Sequence, residues 1–309
     1  MDSIGKISPL KGGWLLLRSI AVISSSVAAI ISSMLPLFLY YPISAKELIP
    51  LFFLLLFSAF LIHGVLTHIL NDYVDHLSGT DIHSPAILSG GSRVIQKGFI
   101  TIEKMRLVGI WLMITLVFVL LIFILFDFYR LAVLLAVGLW GAVTYSLPPL
   151  RLSYRPFTGE WLCTFPSVLF LGLAGAWLTL DNIPDWAFQN AVINALICIS
   201  WVMVHHIPDI RADKNATPMK QTSVVWCEQK FGSSFIRFPA LMYYIFAALC
   251  GFWLGLDRLP AALGLLLILC VSVIIIGKMD INDFKQVSAY EKILLLLAMT
   301  AAVWLGLFI

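Results

Sequence analysis

Nine apolar runs follow one another along this chain with only short polar clusters between them, at about Trp14 to Tyr40, Leu48 to Leu70, Leu107 to Phe126, Leu131 to Leu147, Trp161 to Leu180, Ala187 to Val204, Phe238 to Leu256, Leu259 to Ile276 and Ile293 to Ile309. A helix needs about 20 apolar residues to cross a bilayer. Lipid offers no partners for backbone N–H and C=O groups, so segments of this kind cross as helices that satisfy their own hydrogen bonds. The expected fold is therefore all-α: a polytopic membrane helical bundle of about nine transmembrane helices, forming a single domain over residues 1–309. Composition agrees. Hydrophobic residues make up 61% and charged residues 12%, and mean hydropathy is +0.97, where a soluble chain carries about 45–50% apolar and about 25% charged residues. The first run follows Lys6 and Lys11 like a signal peptide, but it is too long for an h-region and has no small-residue cleavage site, so it reads as a membrane anchor.

Lys and Arg set the expected orientation, because basic residues are retained in cytoplasmic loops. With the N-terminus cytoplasmic, 17 of the 20 basic residues lie inside, and only Lys46, Arg130 and Arg258 lie outside. Both long polar loops, residues 71–106 and 208–237, then face the cytoplasm. The net charge of +3 forms no clustered basic face, which excludes a nucleic-acid partner. Cys163, Cys198, Cys227, Cys250 and Cys270 show no CxxC spacing and form neither a disulfide framework nor a zinc site.

The two loops carry paired acids. Asn71-Asp72-Tyr73-Val74-Asp75 directly follows the second run, and a helix continued through it puts Asp72 and Asp75 at i and i+3 on one face, about 5–6 Å apart at Cβ. At a helix C-terminus the macrodipole adds to their mutual repulsion, so they call for a cation, and hard oxygen ligands favour Mg²⁺ or Ca²⁺. Pro208-Asp209-Ile210-Arg211-Ala212-Asp213 follows the sixth run and spaces Asp209 and Asp213 at i and i+4. Mg²⁺ commonly takes one or two carboxylates plus substrate phosphate oxygens. Two such clusters on one face, with Arg93, Lys97, Arg151, Arg155, Arg211 and Lys220 nearby, suggest a metal-bridged diphosphate. His63 and His68, five apart, read as interhelical hydrogen-bonders. His205 and His206 stand close enough to Asp209 for acceptor binding or proton transfer.

At these residues the chain resembles the UbiA superfamily of intramembrane aromatic prenyltransferases, and within it the 1,4-dihydroxy-2-naphthoate polyprenyltransferases of menaquinone synthesis. The resemblance is carried by the NDxxD at Asn71, Asp72 and Asp75 with Gly79-Thr80-Asp81, the Gly90-Gly91-Ser92-Arg93 segment through Lys97-Gly98, Tyr145-Ser146-Leu147-Pro148-Pro149-Leu150-Arg151, and the DxxxD at Asp209 and Asp213. His205 and His206 stand where the family often has Asn, and Thr217-Pro218 intervene before Lys220. The resemblance implies an Mg²⁺-dependent enzyme that transfers a polyprenyl group from a polyprenyl diphosphate to an aromatic acceptor. It implies Asp72, Asp75, Asp209 and Asp213 as catalytic residues that hold the metal together with Asn71. Asn71, Arg93, Lys97, Tyr145, Arg151, His206 and Lys220 are implied to bind substrate. It also implies a bacterial plasma membrane and no obligate protein partner. Other acceptors (4-hydroxybenzoate, homogentisate, a tetrapyrrole or a glycerol phosphate lipid) share the chemistry, and a secondary transporter with paired acids is the alternative from another class.

Overall fold

The computed structural model describes residues 23–85, 89 and 91–309. Lys6, Lys11, Arg18, the start of the first run and Gly90 lie outside the described residues. Eight helices are long and apolar enough to cross a membrane: α2 (Ala45–Ser78), α4 (Ile102–Leu125), α5 (Tyr129–Ser146), α6 (Glu160–Thr179), α7 (Asp185–His205), α10 (Ser233–Trp253), α11 (Leu259–Lys278) and α12 (Phe284–Leu307). A shorter apolar helix, α1 (Ala28–Tyr40), is entered through a π-helical turn at Ile23–Val27. Short helices α3 (Thr80–His83), α8 (Ile210–Asn215) and α9 (Ser223–Phe231) lie in the two long loops. The chain is an integral membrane protein with multiple spans.

Helix α7 is the hub. It packs against α1, α6, α10 and α12, and 78% of its apolar window is buried, against 11% for α4, whose Trp111, Phe118 and Leu125 point outward. In lipid the outer helices gain nothing by hiding such side chains, so burial is set by packing rather than by avoidance of solvent. Small residues allow the close approaches. A Cβ at Gly175 of α6 would stand 2.6 Å from Ser33 Oγ of α1, so that crossing requires glycine.

Helix α2 runs 34 residues, about 50 Å at 1.5 Å per residue. That exceeds the roughly 30 Å hydrocarbon core, and the excess carries Asp72 and Asp75 out to the polar boundary. It stops where Gly79 adopts φ +82, the left-handed cap that glycine takes without a Cβ penalty. Its middle, Phe60–Thr67, is π-helical. The five-residue spacing of His63 and His68 is one turn of that segment: the rings stack at 5.9 Å, and His68 Nδ1 pairs with His63 O at 2.8 Å. His63 does bond between helices, to Ser26 Oγ at 2.8 Å. His68 bonds back within its own helix through Nδ1.

Far from the acidic loops, Arg258 opens α11 as a buried cation. It donates to Gln189 Oε1 at 2.7 Å, Asn190 Oδ1 at 2.9 Å, Leu305 O at 2.9 Å and Phe308 O at 3.0 Å. Burial lowers its pKa to about 10, so it stays charged at neutral pH and ties α7, α11 and the end of α12 together. Arg258→Leu removes the guanidinium donors from Gln189 Oε1, Asn190 Oδ1 and Phe308 O, while Leu305 O keeps Asn190 Nδ2, at about 1–3 kcal/mol for each buried group left unsatisfied. A marked fall in the thermal unfolding midpoint in detergent is the expected result, and an unchanged midpoint would show that the network carries no stability.

Candidate active site

Both acidic clusters meet at one end of a cavity of about 460 Å³. Its body lies between α2, α4, α5 and α6 and is lined by apolar side chains, among them Leu54, Leu61, Phe123, Leu134 and Phe170. From Leu54 to Asp75 on α2 is 21 residues, about 30 Å of helix, so the cavity runs most of the bilayer depth. Its polar end is lined by Asn71, Asp75, Tyr145, His206, Asp209, Asp213 and Lys220.

The second cluster forms because Pro208 cannot continue α7 and disfavours helix at the residue before it. The chain turns at His206–Asp209 and restarts as α8, with Asp209 at its N-cap. Asp213 N donates to Asp209 O at 2.8 Å, which keeps the two acids one turn apart as their spacing predicts. The first cluster is organised by its neighbours: Asn71 Nδ2 donates to Asp75 Oδ2 at 3.0 Å, and Ser146 Oγ donates to Asn71 Oδ1 at 3.1 Å. Because its oxygen is already engaged, Asn71 is placed to orient Asp75.

Lys220 joins the clusters. Its Nζ lies 3.1 and 3.2 Å from the two Asp75 oxygens and 5.6 Å from the Tyr154 ring centroid. Burial opposes the ammonium charge, but Asp75 and Asp213 outweigh it and hold the pKa well above the usual lysine value. Asp213 is the least satisfied acid. It is buried, neither carboxylate oxygen accepts a hydrogen bond, and His206 Nδ1 lies 4.0 Å from Oδ2. Burial pushes its carboxyl well above the ordinary range, with Lys220 opposing and Asp209 adding to the shift. His206 is held neutral at physiological pH by burial and then by Lys220, and Tyr145 OH approaches its Nε2 at 3.4 Å.

A sequence model described as the UbiA prenyltransferase family matches residues 31–296. The chain belongs to this family. Neither a curated protein nor a solved structure matches it. Membership assigns the general reaction, polyprenyl transfer within the membrane.

Against that family assignment, the other residues expected from sequence fall into two groups. Arg93, Lys97 and Arg151 do not line the cavity. Arg93, at φ +58, donates to Ser84 O and ties down the loop after α3, Lys97 is exposed, and Arg151 sits 5.5 Å from the Tyr154 ring centroid. Asp72 is buried but does not line the cavity either, and it accepts from Ser92 N at 3.2 Å and from Ser92 Oγ.

Sequence reasoning missed the serines. Ser84 Oγ and Ser89 Oγ donate to Asp209 Oδ1, so one loop between α3 and α4 supplies hydroxyls to both acidic clusters. The signal was present in the Ser-Pro-Ala-Ile-Leu-Ser-Gly-Gly-Ser run at positions 84–92. Gly91, at φ +73, lies so close that a Cβ would stand 2.3 Å from Asp81 Oδ1. Gly91→Ala therefore strains the backbone and displaces Asp81 from the cavity rim. A several-fold loss of prenyl transfer with the protein still folded is the expected result, and full activity would show that this contact yields freely.

The donor set suits a hard divalent cation: carboxylate oxygens, with no thiolate and with two orphaned oxygens on Asp213. Among the described residues no three His, Cys, Asp or Glu side chains gather tightly enough to close a metal site on their own. Mg²⁺ that keeps waters and takes phosphate oxygens needs only one or two carboxylates. Asp75, Asp209 and Asp213 fit such half-shells.

Proposed function

We propose that this protein transfers a polyprenyl group from a polyprenyl diphosphate to a hydroxylated aromatic acceptor, 1,4-dihydroxy-2-naphthoate being the one its motifs resemble most. The observation that carries the reading is the shape of the cavity, a long apolar body ending in two acidic clusters and a buried lysine. A prenyl tail matches the body and a diphosphate matches the end. Asp75, Asp209 and Asp213 would hold Mg²⁺, with Asp72 and Asn71 supporting them. When bound, magnesium supplies Lewis-acid stabilisation of the departing diphosphate.

The residues of the chain do the rest. Lys220 is the cation already fixed between the clusters, within reach of diphosphate oxygens on the far side of Asp75. Departure of diphosphate leaves an allylic cation, which needs dry walls and aromatic faces rather than competing nucleophiles. The apolar lining with Phe57, Phe123, Phe170 and Trp201 meets that need. Burying the tail is favourable by roughly 0.8 kcal/mol per CH₂, so remote binding energy holds the reacting carbon at the polar end. The excess of Lys and Arg at this end fits a cytoplasmic site in a bacterial plasma membrane.

The test is product analysis by mass spectrometry from membranes holding this protein, fed Mg²⁺, mixed prenyl diphosphates and a panel of aromatic acceptors. A prenylated naphthoquinol that disappears with EDTA is expected. Product with a different acceptor only, or product indifferent to EDTA, would overturn the acceptor or the metal respectively.

A further inference from the structure

On the wall of the cavity just before the second acidic cluster lies a pair that the reaction so far leaves unused. His205, the last residue of α7, lines the cavity. Its Nδ1 is 2.8 Å from Glu291 Oε1, and Glu291 on α12 is completely buried. The second oxygen of Glu291 has no hydrogen-bond partner. The imidazole stacks on Trp201 with centroids 5.0 Å apart and planes 24° from parallel, and Trp201 Nε1 donates to Glu291 O at 3.1 Å. Two helices thus clamp one imidazole from its face and from one nitrogen.

A buried carboxylate is costly to place unless it acts on something, and here its one side-chain partner is a histidine that faces a substrate cavity. A carboxylate accepting from Nδ1–H fixes the tautomer and leaves Nε2 with its lone pair. The Trp201 face favours the imidazolium once formed. Asp213, Asp209 and His206 face the same end of the cavity, but none of them bonds His205.

We propose that His205 is the general base of the acceptor half-site, with Glu291 its positioning residue. This rests on the reading that the acceptor is a hydroxylated aromatic. The acceptor O–H gives its proton to His205 Nε2, and the ring carbon ortho to the resulting phenolate bonds to the terminal prenyl carbon. That carbon is the end of the allylic cation left when the prenyl C–O bond broke and diphosphate departed with the electron pair. The ring carbon then loses its proton to diphosphate, or its carboxyl group as CO₂ where it carries one. The imidazolium returns its proton to the ring oxygen, which restores the hydroxyl and neutral His205.

Two measurements on the full-length protein in detergent test this. The first is the absorption spectrum of a bound nitro-substituted dihydroxyaromatic, taken at a pH below the pKa of the free compound and without prenyl diphosphate. A phenolate band on binding to the wild type, lost in His205→Gln and reduced in Glu291→Gln, is expected. Binding as the neutral phenol, or a band unchanged in His205→Gln, overturns the proposal without reference to turnover. The second is turnover with two acceptors, one neutral and one already ionised at the assay pH. His205→Gln is expected to lower kcat about 100-fold with the neutral acceptor, to spare the ionised one, and to leave KM for prenyl diphosphate unchanged. Equal losses with both acceptors overturn it. A wild type that shows the phenolate band but prenylates no aromatic acceptor would instead sink the functional reading and leave the base assigned.

Discussion

Asp213→Asn is expected to lower kcat for prenyl transfer by about two to three orders of magnitude, the usual cost of removing one preorganised electrostatic group, while the protein becomes no less stable. The two effects diverge because of how Asp213 is held. Its carboxylate is buried, accepts no hydrogen bond from the protein and has its pKa raised well above the ordinary range by that burial. A charge so placed is a burden on the fold. Removing it breaks no side-chain hydrogen bond, and the attraction to Lys220 that is lost is offset by relief of the buried charge, so function suffers far more than stability. Parallel measurement of kcat and of the unfolding midpoint in substrate-free detergent checks both halves. A mutant that loses activity by losing stability would place Asp213 among the structural residues.

The second large effect is expected at Lys220, with the opposite pattern. Lys220→Met leaves Asp75 buried without its ammonium, and breaking one side of a buried ion pair costs about 3–5 kcal/mol. Asn71 Nδ2 at 3.0 Å and Tyr154 OH at 3.5 Å remain as weaker partners. A large drop in the unfolding midpoint and a large rise in KM for prenyl diphosphate should therefore appear together. The double mutant Asp75→Asn/Lys220→Met removes both charges and is expected to recover most of the stability and none of the activity. A double mutant as unstable as Lys220→Met alone would show that the lysine stabilises through packing against Tyr154 rather than through the ion pair.

Lys220 also marks where the sequence was readable and where it was not. Lys97 and Lys220 look alike in the linear chain, as lysines of the two polar loops that follow the acidic motifs. One is exposed and the other is buried. Nothing local distinguishes them, because the direction of each follows from how α8 and its following loop fold back on α2, with Lys220 N donating to Asp213 O and Thr217 N to Ser78 O. The spans were legible because lipid imposes a length and an apolar composition on any helix that crosses it. Eight of the nine runs reappear as spans and the ninth as the shorter α1.

Boundaries were less legible. The second apolar run reads as ending near Leu70, yet α2 continues to Ser78, because a helix carries polar residues without protest once it clears the hydrocarbon. The i, i+3 pairing of Asp72 and Asp75 needed only helical geometry and was visible at once. Glu291 was invisible as a site residue: it stands 86 positions from His205, at the polar edge of the last run, where an acid looks merely solvated. Only the packing of α12 against α7 gives it meaning.

The acidic end of the cavity is proposed to hold the diphosphate, and the apolar body the prenyl tail. The most direct test is a structure of the protein with Mg²⁺ and a prenyl thiodiphosphate that cannot ionise. The diphosphate is predicted between Asp75 on one side and Asp209 and Asp213 on the other, with Lys220 on its oxygens and the tail running along α2 past Phe123 and Leu134. Diphosphate bound away from these aspartates, or a tail lying outside the cavity on the α4 surface, would contradict the account.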